Sequence, residues 1–551
     1  MKIYYFFFIY CIFLSYFIGV SANPWTSYAQ DMLWFLGIIL LSILYKNKKL
    51  SIPKIIIPIL VISIIPFLQL VFQQIYYFST SFFSFCFLFT FFIAVVLAYN
   101  SPKQINPQKL ILHCALFFSS VGFLTSCFAM AQWLQVDYSF ISPLYHNRPY
   151  ANLNQPNNMA TLLMMGVCSL VLLYEHLKIR TDVFLLLLSC HVFAISLSQS
   201  RTVWVILLVL PVFYFLQKQR CQRKWMYIIL LGMTIGYFSL FYFNVNITEY
   251  LYLVKPQSLV ERMSTGYLRI EMWKHLLYAI SQQPWLGYGW FQTNIAQLQG
   301  VLLFKNEGYL SSAHNIVLDL VLWVGVPLGG SIVVYTLYLL RLLFLHIKTL
   351  SDFYIFSMLM CILVHANLEF PLYYSYFLFL TGFFIGLLLI NIKSKVYFIN
   401  KNINYFIFLF SILTYATVFK HYDQWQSHLG YASGMEGAGK FKNHSSILFS
   451  QFSAREKFLV AKPQENYNVK DLEDFQHYVD SQPSYFNLFK FSQILYHNHD
   501  LAKAKHYFEI SNALYNKTIK FEEIYQKRDA QISNITSSYL ESIKLKPNMK
   551  E

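Results

Sequence analysis

The sequence predicts an all-α, polytopic membrane protein: a helical bundle of about 13 transmembrane helices with a large periplasmic loop and a small helical C-terminal domain. Composition is the first reason. The 551 residues are 56% hydrophobic and 19% aromatic but only 12% charged, whereas a soluble chain is about one quarter charged. The second reason is spacing, because long apolar stretches recur up to about residue 420 and then stop.

Thirteen apolar stretches have the length and composition of membrane-spanning helices. They are 3–20, 31–45, 55–71, 81–99, 110–132, 159–175, 183–197, 202–216, 225–243, 315–340, 353–368, 372–391 and 403–420. The first stretch has the order of a signal peptide, but its length and its weak cleavage site favour an uncleaved helix.

Basic residues between these spans predict the topology. One set of alternate loops carries most of the Lys and Arg residues: Lys46, Lys48, Lys49, Lys54, Lys103, Lys109, Lys178, Arg180, Lys218, Arg220, Arg223, Lys224, Arg341, Lys348, Lys393, Lys395 and Lys401. The short loops of the other set carry only Arg148 and Arg201. The positive-inside rule therefore predicts a bacterial inner-membrane protein with a cytoplasmic N-terminus and a periplasmic C-terminus. The net charge of +16 is thus explained without a nucleic-acid partner.

The composition changes after residue 420, where charged residues become frequent. We predict a membrane domain over 1–420, which includes a periplasmic loop over 245–313, and a soluble helical domain over 421–551. Within the latter, Tyr485 to Leu514 has the pattern of two amphipathic helices and resembles one tetratricopeptide-type hairpin. The predicted buried faces are Leu488, Phe491, Ile494 and Leu495, then Ala502, Ala504, Tyr507, Phe508 and Ile510. An ordinary small helical domain is favoured, because a repeat array needs about three units.

Polar residues gather at four places on the predicted periplasmic side. The first is the segment Arg148 to Thr161, which contains the amides Asn152, Gln155 and Asn157. Amides both donate and accept hydrogen bonds, which suits sugar hydroxyls or a diphosphate. A turn-rich loop is the alternative, since Asn and Pro also form turns.

The second place is Ser198-Gln199-Ser200-Arg201, at the end of a span. An arginine inside the bundle is energetically costly without a partner, which suggests a function. The alternative is an arginine that extends its side chain to the membrane interface. The third is the loop 245–313 with Arg262 and Arg269, which ends at His314. Imidazole exchanges protons near neutral pH, although a lone histidine is more often structural.

The fourth place is the turn that contains His365, Glu369 and Tyr374. His365 and Glu369 share a helix face if the turn is helical, where they form either a functional or a structural pair. Taken together, cations and a candidate base on one side of the membrane suit a reaction of a lipid-linked phosphate. The membrane portion contains no Asp-x-Asp motif, which weakens a metal-dependent mechanism, and no cofactor is expected.

Five short motifs resemble the PglL-type O-linked oligosaccharyltransferases, within the superfamily of WaaL O-antigen ligases and Wzy polymerases. Asn152-Leu153-Asn154-Gln155-Pro156-Asn157 resembles the PglL signature with Asn154 in place of Gly, and its Gln-Pro-Asn core favours PglL over WaaL. The other motifs are Ser198 to Arg201, Arg269 to Trp273 with Pro284 to Gly289, His314-Asn315 followed by Gly325, and His365 to Tyr374.

The resemblance implies a metal-independent enzyme. It would transfer a preassembled glycan from undecaprenyl diphosphate to Ser or Thr of a periplasmic protein such as pilin. His314 would handle the acceptor proton, and Arg201 and Arg269 would hold the diphosphate. The other implied binding residues are Arg148, Asn152, Gln155, Asn157, Arg262, His365, Glu369 and Tyr374. Two alternatives remain: a ligase or polymerase with a sugar acceptor, and a non-enzymatic transporter of the same lipid.

Overall fold

The computed structural model describes residues 2–19, 25–46, 48–144, 147–177, 179–217, 224–251, 253, 267–432 and 446–521. The described chain is almost entirely helical. Its membrane part contains α1 (Lys2–Phe17), α2 (Tyr28–Ile43), α3 (Ile57–Val71), α4 (Phe78–Tyr99), α5 (Pro107–Trp133), α6 (Pro156–Leu177), α7 (Thr181–Ser198), α8 (Arg201–Leu216), α9 (Lys224–Tyr250), α10 (Tyr267–Gln282), α11 (Thr293–Leu298), α12 (Ile316–Leu345), α13 (Leu350–Ala366), α14 (Ser375–Leu389) and α15 (Lys401–Ala432).

Eight helical segments within the described residues are long and apolar enough to cross a membrane. They are Lys54–Val71, Phe78–Tyr99, Pro107–Trp133, Pro156–His176, Thr181–Ser198, Ile229–Tyr250, Ile316–Leu345 and Lys401–Tyr422. Five shorter apolar helices accompany them: Tyr4–Phe17, Tyr28–Ile43, Arg201–Leu216, Leu350–Ala366 and Ser375–Leu389. A multi-pass helical membrane protein is thereby confirmed, whereas the number of thirteen spans stays a prediction.

The interior and the outer surface of the bundle differ as expected for a protein in a lipid bilayer. α6 is buried almost throughout, with Leu162, Leu163 and Met165 fully enclosed. On outer faces, large apolar side chains are exposed, such as Leu208 at 72% and Val334 at 67%. Apolar exposure of this extent marks a surface that contacts lipid.

One feature departs from the predicted all-α class. β1 (Leu50–Pro53) pairs antiparallel with β2 (Val396–Ile399), with Leu50 opposite Ile399. Asn100 adds hydrogen bonds to both the N–H and the carbonyl oxygen of Ser51. This short ribbon ties the loop before α3 to the loop after α14. Both strands have only four residues and lie in basic loops between spans. Such short strands give no clear alternation of apolar and polar residues, so the sequence does not predict them.

The C-terminal helices are α16 (Ser450–Val460), α17 (Val469–Ser481), α18 (Tyr485–His497) and α19 (Leu501–Tyr515). The predicted hairpin is present as α18 and α19, and its predicted core residues are buried with one exception. Ala502 is exposed, so its place in the predicted apolar face was wrong: it lies in the first turn, before the helix reaches its partner. α15 continues past residue 420, the predicted end of the membrane domain.

Candidate active site

His314 is positioned by the cap of the helix that follows it. The Asn315 side chain accepts hydrogen bonds from the N–H groups of Val317 (3.0 Å) and Leu318 (3.1 Å) and so begins α12. His314 itself has a φ of +50°, which is uncommon for a residue other than glycine. The two residues of the His-Asn pair therefore have different roles. Asn315 caps the helix, and His314 projects from the turn before it.

Asp319, which is not among the residues predicted from the sequence, supports the same turn from the protein interior. Its buried carboxylate accepts hydrogen bonds from the Thr293 hydroxyl (2.8 Å), the Ser312 hydroxyl (2.7 Å) and the Ala313 N–H (2.9 Å). The Ser312 hydroxyl in turn accepts from the His314 N–H (3.0 Å). An acidic residue in the first turn of a predicted span was the available signal.

Three of the predicted residues meet in one cluster. His314 Nδ1 lies 2.5 Å from Glu369 Oε2, and Arg269 donates to the other carboxylate oxygen, Oε1. Glu369 is nearly buried, with 10% of its side chain exposed, whereas Arg269 keeps 24% and His314 keeps 30% exposed. One buried carboxylate thus orients a cation and an imidazole whose outer surfaces are accessible.

The cluster keeps Glu369 ionised. Burial by itself raises the pKa of this carboxyl group, but the hydrogen bond and charge of His314 and the charge of Arg269 outweigh burial. The net result is a pKa below its ordinary value. At neutral pH, Glu369 is therefore an acceptor of hydrogen bonds only.

Arg201 approaches the cluster from a different part of the bundle. It is the first residue of α8 and is half-buried, and it interacts electrostatically with both Arg269 and Glu369. The turn from α7 is very short because Gln199 adopts a left-handed conformation with a φ of +48°. Arg201, Arg269, His314 and Glu369 come from four segments that are far apart in sequence.

The Pro284 to Gly289 motif packs against α12 at the Gly325 motif. The N–H groups of Tyr288 and Gly289 donate to the carbonyls of Leu322 (2.8 Å) and Trp323 (3.0 Å). Gly325 has a φ of +80° and interrupts α12. A Cβ atom on Gly325 would lie 2.2 Å from the Trp285 oxygen, so only glycine fits. The Pro284 to Gly289 motif and the Gly325 motif are thus two sides of one contact.

His365 lies behind Glu369 in the bundle. The Leu368 and Glu369 N–H groups both donate to the His365 carbonyl (2.9 Å each), so the two side chains are one helical turn apart, as predicted. The His365 ring is fully buried, with Nδ1 at 2.9 Å from the Thr161 hydroxyl. This position supports the turn that carries Glu369 and leaves no surface for substrate.

The Asn-rich loop is fastened to the end of α7. Arg148 donates from Nε to the Ser198 carbonyl (2.7 Å) and from Nη2 to the Asn157 side-chain oxygen (3.2 Å). Asn154 has a φ of +64°. Because Asn tolerates this left-handed region better than most residues, it fits a position at which the motif usually has glycine.

Asn152, which the sequence predicts to bind substrate, is held by hydrogen bonds within the protein. It is fully buried, its side-chain oxygen accepts from the Ser142 N–H, and its amide nitrogen donates to the carbonyls of Phe17 and Phe140. All of these partners lie within the protein, which supports a role in loop structure, and binding of substrate by Asn152 stays a prediction. A sequence does not distinguish an amide that folds a loop from one that binds sugar, because the chemistry is the same.

Three predicted residues remain to be described. Gln155 is half-exposed just before α6, and its side chain has no hydrogen bond to another residue in the described ranges. The Tyr374 ring stacks between those of Phe370 (6.3 Å) and Tyr376 (5.1 Å). Arg262 lies outside the residues that the structure describes.

Comparisons with known proteins identify the class first. The family model described as "O-Antigen ligase" matches residues 183–334, and "Virulence factor membrane-bound polymerase, C-terminal" matches 353–433. A third model, "Protein glycosylation ligase", matches 149–174, which contains the Asn-rich loop. These matches define a membrane glycosyltransferase of the O-antigen ligase superfamily.

Two curated relatives narrow the assignment. The chain is 29% identical over 523 residues to a "General O-oligosaccharyltransferase" of Acinetobacter baylyi, covering 93% of this chain and 92% of that protein. It is 30% identical over 394 residues to a "ComP-specific O-oligosaccharyltransferase" of the same organism, covering 69% of this chain and 70% of that protein. The chain belongs to the PglL-type O-oligosaccharyltransferase family.

Proposed function

We propose that this protein is a protein O-oligosaccharyltransferase. It moves a preassembled glycan en bloc from undecaprenyl diphosphate to a Ser or Thr hydroxyl of periplasmic proteins such as pilin. The observation that carries the proposal is the cluster in which Glu369 bridges His314 and Arg269, with Arg201 beside it. A base and two cations at one membrane boundary match the needs of glycosyl transfer from a diphosphate.

His314 is the proposed general base. With its Nδ1 at Glu369 Oε2, the neutral ring keeps its proton on Nδ1 and presents Nε2 as the acceptor. The acceptor hydroxyl gives its proton to Nε2 while its oxygen bonds to the anomeric carbon. The bond from that carbon to the phosphate oxygen breaks, and undecaprenyl diphosphate departs. Attack opposite the leaving group inverts the anomeric carbon, and the Glu369 carboxylate stabilises the imidazolium.

Arg201 and Arg269 are the proposed diphosphate ligands. A guanidinium has five N–H donors, so the bond from Arg269 to Glu369 leaves other donors for phosphate oxygens. Negative charge accumulates on the diphosphate as it leaves, and fixed cations stabilise that charge most in a partly desolvated site. Arg262, Gln155, Asn157 and Tyr374 are further proposed donor-binding residues, and Arg148 positions Asn157.

The Lys and Arg distribution supports the proposed placement in the bacterial inner membrane with thirteen spans, the N-terminus inside and the C-terminal domain in the periplasm. A reporter that is active only in the periplasm should be active when fused after residue 430 and silent when fused after Arg223. The reverse pattern would put His314 in the cytoplasm and defeat the proposal.

The direct test is reconstitution of the full-length protein in liposomes with undecaprenyl-diphosphate oligosaccharide and a purified pilin. We expect glycan mass on the pilin and an equal amount of released undecaprenyl diphosphate, both maintained in excess chelator. Transfer only to a sugar acceptor would identify a ligase or polymerase instead. Lipid movement without diphosphate release would identify a transporter, and activity restored by Mg²⁺ after chelation would identify a metal mechanism.

A further inference from the structure

A large cavity adjoins the cluster of His314, Arg269 and Glu369. We call it the chamber; it has a volume of about 1290 Å³ and lies between the membrane helices and the C-terminal helices. Its lining includes the loop between α3 and α4, the Pro284 to Phe291 segment, the Phe370 to Tyr374 turn and the C-terminal segment His477 to Gln482. The volume exceeds the roughly 300–1,000 Å³ of ordinary small-molecule sites, which indicates an extended ligand.

Phe370 connects the chamber with the proposed base. Its ring packs edge-on against the His314 imidazole, with 5.2 Å between the ring centroids. Phe370 also lines the chamber, together with Tyr373 and Tyr374. A ligand in the chamber is therefore separated from His314 by one aromatic side chain.

The chamber wall combines amide and aromatic side chains, and Asp31, His477 and Asp480 are its ionisable acidic and imidazole groups among the described residues. It contains nine Gln or Asn side chains, and five of them have no side-chain hydrogen bond to any residue in the described ranges: Gln73, Gln74, Gln283, Gln299 and Gln482. No Lys or Arg of the described residues lines it. Burial raises the pKa of Asp480 to about 6, so this carboxyl group is still mostly ionised at pH 7, whereas burial lowers the pKa of His477 and favours its neutral form.

The C-terminal helices supply one side of the wall and are anchored there. Tyr76, in the loop between α3 and α4, stacks on His477 with 3.7 Å between the ring centroids and donates to Asp474 (2.9 Å). The Ser79 N–H donates to the Ser450 hydroxyl (3.1 Å). These contacts fix α16 and α17 against the membrane domain, so Gln482 faces the same space as Gln283.

We propose that the chamber binds the sugar chain of the donor and that the C-terminal domain is one wall of this binding site; this inference rests on the proposed function. Unpaired amides match sugar hydroxyls because both donate and accept hydrogen bonds, and aromatic side chains give the apolar surface that ring faces need. A diphosphate requires cations, and no Lys or Arg of the described residues lines the chamber. A polyprenyl tail makes no hydrogen bonds and would leave the amides of the wall unpaired. The position of the chamber beside His314 suits sugars that follow the reacting one.

The test uses two synthetic donors, undecaprenyl diphosphate bearing one N-acetylglucosamine and the same lipid bearing a chain of four. Gln283→Ala and Gln482→Ala remove amides from opposite walls of the chamber. Each should raise the ratio of the KM for the long donor to the KM for the short donor by about two- to tenfold, the size of one neutral hydrogen bond. Gln108→Ala, an exposed glutamine in the first turn of α5, is the matched control and should leave the ratio unchanged.

An unchanged ratio in both chamber variants would overturn the proposal. A rise in the KM of the acceptor protein alone would also overturn it and would assign the chamber to the acceptor. Binding of free tetra-N-acetylchitotetraose, followed by saturation-transfer NMR, separates this proposal from the proposed function because it needs no turnover. Weaker binding to the Gln482→Ala protein would support the chamber even if no transfer were detected, whereas equal binding to native protein and both variants would refute it.

Discussion

The loop of residues 147–158 and the cluster of His314, Arg269 and Glu369 are both rich in polar side chains, but they use them differently. In the loop, Asn152 is 0% exposed and bonds to three protein groups. In the cluster, Glu369 is nearly buried while Arg269 and His314 keep about a quarter to a third of their side chains exposed. In the loop, the polar side chain of Asn152 bonds to the protein itself. In the cluster, Arg269 and His314 keep accessible groups that a substrate can contact.

This difference shows that the motifs of one family serve two purposes. A buried amide with every bond satisfied stabilises one loop conformation. A charged group that a buried partner orients, and that solvent can still reach, is preorganised for catalysis because it needs no reorganisation energy during the reaction. Substitutions in the two regions should therefore separate loss of turnover from loss of folded protein.

His314→Ala should have the largest effect on turnover. Removal of a general base typically lowers a rate by about a hundredfold to ten-thousandfold, and we expect that loss in glycan transfer with little change in donor binding. His346→Ala is the matched control, because His346 ends the same helix that His314 precedes. Loss of donor binding in His314→Ala, with transfer reduced only in proportion, would make His314 a donor ligand.

Glu369→Gln should slow transfer by about ten- to a hundredfold, since it weakens charge-assisted bonds worth roughly 1.5–3 kcal/mol. The pKa of Glu369 is lowered below its ordinary value of 4.5. Its stabilising contribution is therefore complete above that value and is lost as the pH falls through the lowered pKa. Thermal unfolding should show native protein more stable than the variant at pH 7, with the difference shrinking in acid. A difference independent of pH would contradict the ion-pair role.

Arg201→Ala should weaken binding of undecaprenyl diphosphate by about tenfold, the loss expected for one charge-assisted hydrogen bond. Arg201→Lys should restore binding only in part, because an ammonium lacks the planar fork of a guanidinium. Arg341→Ala, an exposed arginine near the other end of the bundle in α12, should bind the lipid normally. Full rescue by lysine would mean that only the charge matters.

The sequence predicted the helical membrane class because hydropathy is a local property. It also selected Arg269, His314 and Glu369, which the fold brings into contact. It did not reveal Asp319, whose role depends on Thr293 and Ser312 across a turn. It did not reveal that Asn152 is buried, because burial of an amide depends on segments as distant as Phe17. Long-range contacts decide these roles, and residue type alone does not contain them.

Gln155→Ala tests the one predicted amide of the loop whose side chain is not bonded to the described residues. Its side chain is half-exposed and has no hydrogen bond among the described residues, so its removal should cost little stability. We expect a rise of about two- to tenfold in the donor KM, as for one neutral hydrogen bond to substrate. Native kinetics in this variant would remove Gln155 from the binding site.

Asn152→Ala should have the smallest effect on turnover per folded molecule and a large effect on folding. The substitution strands the Ser142 N–H and the carbonyls of Phe17 and Phe140, and each unsatisfied buried group costs about 1–3 kcal/mol. We therefore expect a lower unfolding temperature and less protein in the membrane, with normal donor KM in the fraction that folds. Asn154→Gly is the control in the same loop: glycine accepts the φ of +64°, and the change removes only the hydrogen bond from the Asn154 amide to the Gln30 side-chain oxygen (3.2 Å), so it should cost less stability than Asn152→Ala. If Asn152→Ala instead kept its unfolding temperature and lost donor affinity, the loop would bind substrate through Asn152. The contrast between the two regions would then fail at the residue on which it most depends.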